Sequence, residues 1–280
     1  MNRSALRTLL PTLLAGHVPA RTRHYSYSVH DALPNESRLG FYVDPHPFQG
    51  KIIAKTDEMM VVKTARTQFA VLDRTLVNDD PPEGSTIEVT PYARRDFDGS
   101  RMDKPVEKVE RLPDGTTFTS RTVILGGNTT RLPVPKPQSP ELADLIEQIE
   151  TMPAPDGRRR IVHILVDALA TDFRVDDPPP AQIIATPPTI HFRVSTRKFI
   201  GCVALSYDRA LDYYRLLLHR DGEVISFVEH IDFTSLGQVL HDQLDDLRWQ
   251  TIDVRVLSLP KPKPKPRSLS GTAVGSSMTH

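Results

Sequence analysis

The side chains with chemical potential are few and scattered. His163 and Asp167 stand four apart within "IVHILVD". On a helix they share a face, the spacing of a two-ligand metal site or a His–carboxylate pair. No third ligand stands nearby and no HExxH motif occurs, so a surface His–Asp pair is expected and no metal site. His241, with Asp242, Asp245 and Asp246, reads as a solvated polar helix face. Cys202 is the single cysteine, which excludes an intrachain disulfide and a multi-cysteine zinc centre. Its setting, "FIGCVAL", is that of an apolar residue in a buried strand rather than an activated thiolate. No GxxxxGK[ST], GxGxxG or GxSxG pattern occurs, and no cofactor is expected.

Two sets of residues point to binding instead. Lys51, Lys55, Lys63, Arg66, Arg74, Arg94 and Arg95 crowd positive charge onto a short strand-rich stretch. Cations alternating along strands can track a phosphate backbone, so nucleic acid is one expected partner, with salt-sensitive binding. Phe69, Tyr92 and Phe97 are the nearest rings for base stacking, and Asp57, Glu58, Asp73, Asp79, Asp80 and Glu83 offset the charge. The competing reading is a solvated outer sheet face whose lysines blunt its edges. Tyr213, Tyr214 and Trp249, with Tyr207, form the second set: anchors for a protein partner if exposed, core filling if buried.

These residues need elements to hold them. The chain has 280 residues, 35 basic and 35 acidic, so no global field draws it to nucleic acid or acidic lipid. Proline is abundant, at 25, so part of the chain must be linker. No run of 18 apolar residues occurs, and no membrane span is expected. Residues 1–39 read as a flexible N-terminal segment. Its first thirty residues carry arginines, spaced leucines and no acid, the composition of a mitochondrial presequence, a poor secretory signal or a frayed cytosolic tail.

Residues 40–125 read as a β-rich, barrel-like module. "KIIAK" and "MMVVK" flank the turn "TDE"; "QFAVL" and, past a Pro81–Pro82 loop, "TIEVT" follow, and Thr116–Leu125 adds one or two strands. Residues 126–139 read as a Gly- and Pro-punctuated linker. Residues 140–259 read as an α+β domain. Ser139, Pro140 and Glu141 signal a helix start, and Leu142, Leu145, Ile146 and Ile149 give its stripe. Val162, Leu165, Val166, Leu169 and Phe173 suggest a second helix, with a buried strand over "IVHILV" as the rival. Strands are expected near 190–194, 199–206, 213–219 and 223–229. A helix with a Ser235–Gln238 capping box follows, its face running to Leu247, and then the strand Thr251–Leu257 in the same layer. Residues 260–280 read as a disordered basic tail with an extended Lys-Pro repeat. The fold class is thus α+β: a small β-barrel-like module joined by a Pro-rich linker to an antiparallel sheet packed with helices.

Phe48–Val77, "FQGKIIAKTDEMMVVKTARTQFAVLDRTLV", resembles the KfrB domain of proteins from conjugative plasmids and integrative elements. Gly50, Ile52, Thr56, Asp57, Val61, Val62, Arg66, Val71, Asp73, Arg74, Leu76, Gly84 and Ile87 match its pattern, with Tyr92 at the end of a later strand. Lys63, Ala65 and Leu72 depart from it. The resemblance implies a protein of a bacterial mobile element, acting in its maintenance, transfer or protection. With no clustered nucleophile–base or metal set in the sequence, the expectation is a non-enzymatic, cytoplasmic accessory protein that binds nucleic acid or a host or element-encoded protein. It carries over no catalytic residue. The alternatives are an adaptor or inhibitor directed at host machinery, and an enzyme with a cryptic site in the C-terminal domain.

Overall fold

The computed structural model describes residues 1–20, 22, 24–34 and 42–260. The basic tail beyond Pro260 lies outside the described residues. Helix α1 (Arg3–Leu13) begins at Asn2, whose Oδ1 accepts the N–H groups of Ser4 and Ala5 at 2.9 and 3.2 Å. Strands β1 (Ser26–His30), β2 (Phe48–Lys55), β3 (Met59–Ala65), β4 (Gln68–Asp73) and β5 (Thr86–Thr90) follow. The turns that separate β2 from β3 and β3 from β4 fall where the polar residues interrupt the apolar runs. Gly50 is required in β2. A Cβ there would meet the Lys63 carbonyl oxygen and Val62 Cγ1 at 2.6 Å each, because β3 passes that closely.

This sheet is buried on both faces, which explains the continuous apolar runs "MMVV" and "FAVL". One face gathers Ile52, Met60, Val62, Ala70, Leu72, Ile87 and Val89. The other carries Met59, Val61, Phe69 and Val71, covered by Leu6, Leu10 and Leu14 of the N-terminal segment. Leucines at i, i+4 and i+8 lie on one side of a helix, and that side found an apolar sheet. Over residues 3–14 the N-terminal segment is therefore a docked layer rather than flexible chain. Its three buried leucines contribute about 1.5–3 kcal/mol each. Arg3 fixes the helix to the following loop through Asp31, at 2.8 and 2.6 Å.

Strands β6 (Val106–Arg111) and β7 (Thr117–Thr122) form a separate, exposed hairpin. The stretch read as linker is packed: Thr130 and Leu132 are buried, and the Leu132 N–H donates to Glu150 at 2.8 Å. Helix α2 (Pro140–Thr151) starts as expected, with Ser139 Oγ accepting the Leu142 N–H at 3.3 Å. Helix α3 (Ile161–Asp167) stops six residues short of Phe173. Leu169 turns left-handed at φ 56°, and strand β8 (Thr171–Asp176) follows. The helical spacing of Phe173 was coincidental: on β8 it stacks on Phe192 at 5.5 Å.

Strands β9 (Thr189–Ser195), β10 (Ile200–Asp208), β11 (Tyr213–Arg220) and β12 (Glu223–Ile231) make an antiparallel sheet in the order β12-β11-β10-β9-β8. Alternating residues such as Ile190, Phe192, Val203, Leu205, Leu216 and Leu218 face α2, α3 and helix α4 (Leu236–Leu244). Asp232, rather than a Ser235–Gln238 box, organises the turn into α4, accepting the Thr234 and Ser235 N–H groups at 2.8 and 3.0 Å. Leu247 lies past the helix and is exposed.

The last strand, β13 (Asp253–Ser258), does not join this layer. It pairs antiparallel with β5, giving the first sheet the order β1-β4-β3-β2-β5-β13. Ile252 and Val254 complete the first core. That order is linear, with β1 and β13 as edges, so no closed barrel is seen among the described residues. The molecule is α+β and mostly sheet. No described helix is long and apolar enough to cross a membrane.

Candidate functional site

The structure disperses the expected basic face. Arg94 is buried and clamps Asp44 through Nε and Nη2 at 3.0–3.2 Å, while donating to the Gly126 carbonyl at 2.8 Å. Lys55 and Arg74 converge on Asp80, at 2.6 and 2.5 Å. Lys63 reaches the His17 carbonyl at 2.5 Å. Lys51, Arg66 and Arg95 remain exposed without a carboxylate partner among the described residues. Four of the seven cations are therefore engaged in holding the fold.

Trp249 also serves the fold. It lies 7% exposed between the two sheets, against Arg159 and Tyr92. The Arg159 guanidinium stacks 4.0 Å over the indole and is ringed by Asp156 (3.0 Å), Asp167 (2.6 Å) and Asp245. Trp249 Nε1 donates to Asp245 at 3.2 Å, and Tyr92 Oη to Asp167 at 3.0 Å. Burial works against the Arg159 charge, but Asp167, Asp156, Tyr92 and Asp245 together hold its proton more tightly than usual. Burial pushes the Asp167 carboxyl up to about 6 despite Arg159. The expected surface His–Asp pair is thus no pair. Asp167 belongs to this knot, and His163 points elsewhere, accepting the Arg160 N–H at Nδ1 (3.0 Å) with Thr130 Oγ1 3.3 Å from Nε2. Burial, then Arg94, Arg159 and Arg160, push His163 down to about 3. Asp245, read as solvated, is buried for the same reason. Cys202 is half-buried on the sheet face away from the helices, its cross-strand neighbours Arg193 and His219.

The arrangement with binding chemistry lies at the other end of the second sheet, where β10 turns into β11. Tyr207, Tyr213 and Tyr214, with Leu211 and Phe233, line a cleft of about 530 Å³. Their exposure is graded: Tyr214 is 6% exposed, Tyr213 38% and Phe233 59%. Tyr207 and Tyr214 lie 5.3 Å apart. Tyr214 Oη donates to Gln148 of α2 at 2.6 Å, which ties the floor to the helix layer. Four carboxylates share the rim: Glu141, Asp144, Asp212 and Asp232. Arg209 neutralises Glu141 at 3.0 Å. Asp144, Asp212 and Asp232 meet no cation among the described residues. Asp212, left-handed at φ 58° in the β10–β11 turn, accepts the Tyr207 hydroxyl at 2.7 Å. That bond, and then burial, push the Tyr207 phenol up to about 12. The hydroxyl and N–H groups of Thr234 and Ser235 hold Asp232 down to about 2. Asp232 therefore stays ionised across the neutral range.

Rings whose faces are negative, beside fixed carboxylates, attract a cation. Tyr213 and Tyr214 both line this cleft, Tyr214 as its buried floor, while Trp249 does not. Asp212, Asp232 and Asp144 escaped sequence reasoning because three separate segments supply them. The one local signal was Asp-x-Thr-Ser at 232–235, a turn pattern that fixes a carboxylate orientation. Comparisons with protein-family models, with curated proteins and with solved structures find no match to this chain.

Proposed function

We propose that this chain is a non-catalytic docking protein that receives a cationic segment of a protein partner in the Tyr207–Tyr213–Tyr214 cleft. The observation carrying this reading is the convergence of three carboxylates that meet no cation among the described residues, Asp144, Asp212 and Asp232, on a tyrosine-lined cleft in which Tyr213 is exposed. Arginine and lysine bring an apolar stem for the rings and a charge for the rim. The setting we infer from the resemblance of Phe48–Val77 to the KfrB domain is an accessory protein of a bacterial mobile element, acting in the cytoplasm in maintenance, transfer or protection. The hairpin strands at 48–73 and Gly50 at its close strand approach support that kinship. The nucleic-acid version is the weaker arm, since it retains only Lys51, Arg66 and Arg95 of its seven cations.

The test is calorimetric titration of the full chain with three probes at low salt: an arginine- and lysine-rich peptide, its glutamate counterpart, and single-stranded DNA. The expected result is binding of the cationic peptide alone, weakened about tenfold in the D144N/D212N double variant. Equal affinity for the glutamate peptide, or indifference to the double substitution, refutes the docking reading. Retention of DNA that fades with salt favours the nucleic-acid version.

A further inference from the structure

The chain carries a segment with the chemistry this cleft selects. Lys261, Lys263, Lys265 and Arg267 alternate with prolines in "KPKPKPR". Proline lacks the N–H that a helix or central strand needs. A segment alternating in this way presents its cations without internal hydrogen bonds, and Pro-rich segments dock on aromatic-lined grooves at low entropic cost. We propose, building on the docking reading above, that the occupant of the cleft is the Lys261–Arg267 segment of a second copy of this chain, so that the protein associates head to tail.

The molecule's own segment starts from the first sheet, whereas the cleft lies on the second. Pro260 packs beside Gly84, at the end of the first sheet where Ser258 pairs with Thr86. The junction between the sheets lies at the opposite end of β13, where Asp253 pairs with Thr90 and Ile252 donates to Leu76. The second sheet turns toward that junction its β9–β10 end, through Arg197 to Asp246 at 2.8 Å and Arg248 to Ser195 at 3.1 Å. The cleft is at the other end of β10. The nine residues of β10 span about 26 Å between the β9–β10 end and the cleft. Whatever its conformation, a seven-residue segment such as Lys261–Arg267 reaches at most about 25 Å, no more than the length of β10. The four cations meet three carboxylates that lack a cation, so the contact is complementary and salt-sensitive. A surface that docks a different surface of an identical molecule propagates into chains or a ring.

The experiment uses two full-length variants. One replaces Lys261, Lys263, Lys265 and Arg267 by serine and keeps the cleft; the other carries D144N and D212N and keeps the tail. Sedimentation of the wild-type chain should show a mass that rises with concentration and falls with salt, and each variant alone should stay monomeric. Mixed together, the two should form a heterodimer that grows no further, because one intact tail meets one intact cleft. Circular dichroism confirms that both are folded. A mixture that stays monomeric overturns the proposal, as does a wild-type chain that is monomeric throughout. A synthetic Lys-Ser alternating peptide added to the tail variant separates the two failures. If it binds while the tail does not, the docking reading stands and self-association falls; if it also fails, both fall.

Discussion

Substituting His163 by glutamine should remove a defined part of the protein's acid sensitivity. His163 is 2% exposed. Its Nδ1 must stay unprotonated to accept the Arg160 N–H. Three arginines, Arg94, Arg159 and Arg160, oppose a proton there, and the ring's folded pKa falls to about 3 from 6.5. A histidine depressed in the folded state contributes stability that is complete above 6.5 and is lost as pH falls toward the folded value. At pH 5 the unfolded chain holds the proton and the folded chain does not. The loss, at about 1.4 kcal/mol per pH unit over about 1.5 units, is roughly 2 kcal/mol. Glutamine at the third helical position can still accept the N-cap N–H but does not titrate.

Urea titrations of both proteins at pH 8, 7, 6 and 5 measure the difference directly. His30, lowered to about 4 by burial and Arg158, acts in the same sense. Asp167, raised to about 6, acts in the opposite one, its stabilising share being lost as pH rises. Both groups are present in each protein and cancel in the comparison. The wild type should lose about 2 kcal/mol more than H163Q between pH 8 and pH 5. Parallel curves would refute the assignment of a neutral, acceptor-only Nδ1.

Two further substitutions probe the layers. Arg159→Met should leave Asp156, Asp167 and Asp245 facing one another without their cation and cost about 3–5 kcal/mol. Emission from Trp249, the only tryptophan, should shift toward that of a solvated indole, and stability within about 1 kcal/mol of wild type would show the knot to be idle. Leu10→Ala should cost about 2–5 kcal/mol and expose residues 3–14 to protease, whereas unchanged stability would mean that α1 does not hold to its sheet.

What the sequence disclosed followed from local signals. "TIEVT" became β5 at its expected limits, and Ser139-Pro140 opened α2, because alternation and capping act within a few residues. Strand β1 was missed: "SYSVH" is mostly exposed and pairs parallel with β4, a pairing that leaves no turn to read. The sheet membership of β13 was equally hidden, since "DVRVLS" suits either edge. Polar residues misled most. Asp167, Asp245 and Arg159 look like surface charge, and only the fold shows that they satisfy one another away from water. The cleft was half legible: Tyr213 and Tyr214 are adjacent in sequence, but their carboxylates arrive from α2 and from two turns.

The pairing of β13 with β5 sets an order of events during synthesis. As the chain leaves the ribosome, the strands from Phe48 to Thr90 emerge early, yet the edge formed by Ile87 and Val89 waits for Ile252 and Val254. The first layer can close only after the second has been made and has delivered its final strand. Ring closure over so long a separation is slow, and the nascent β5 edge is meanwhile an open template for the wrong neighbour.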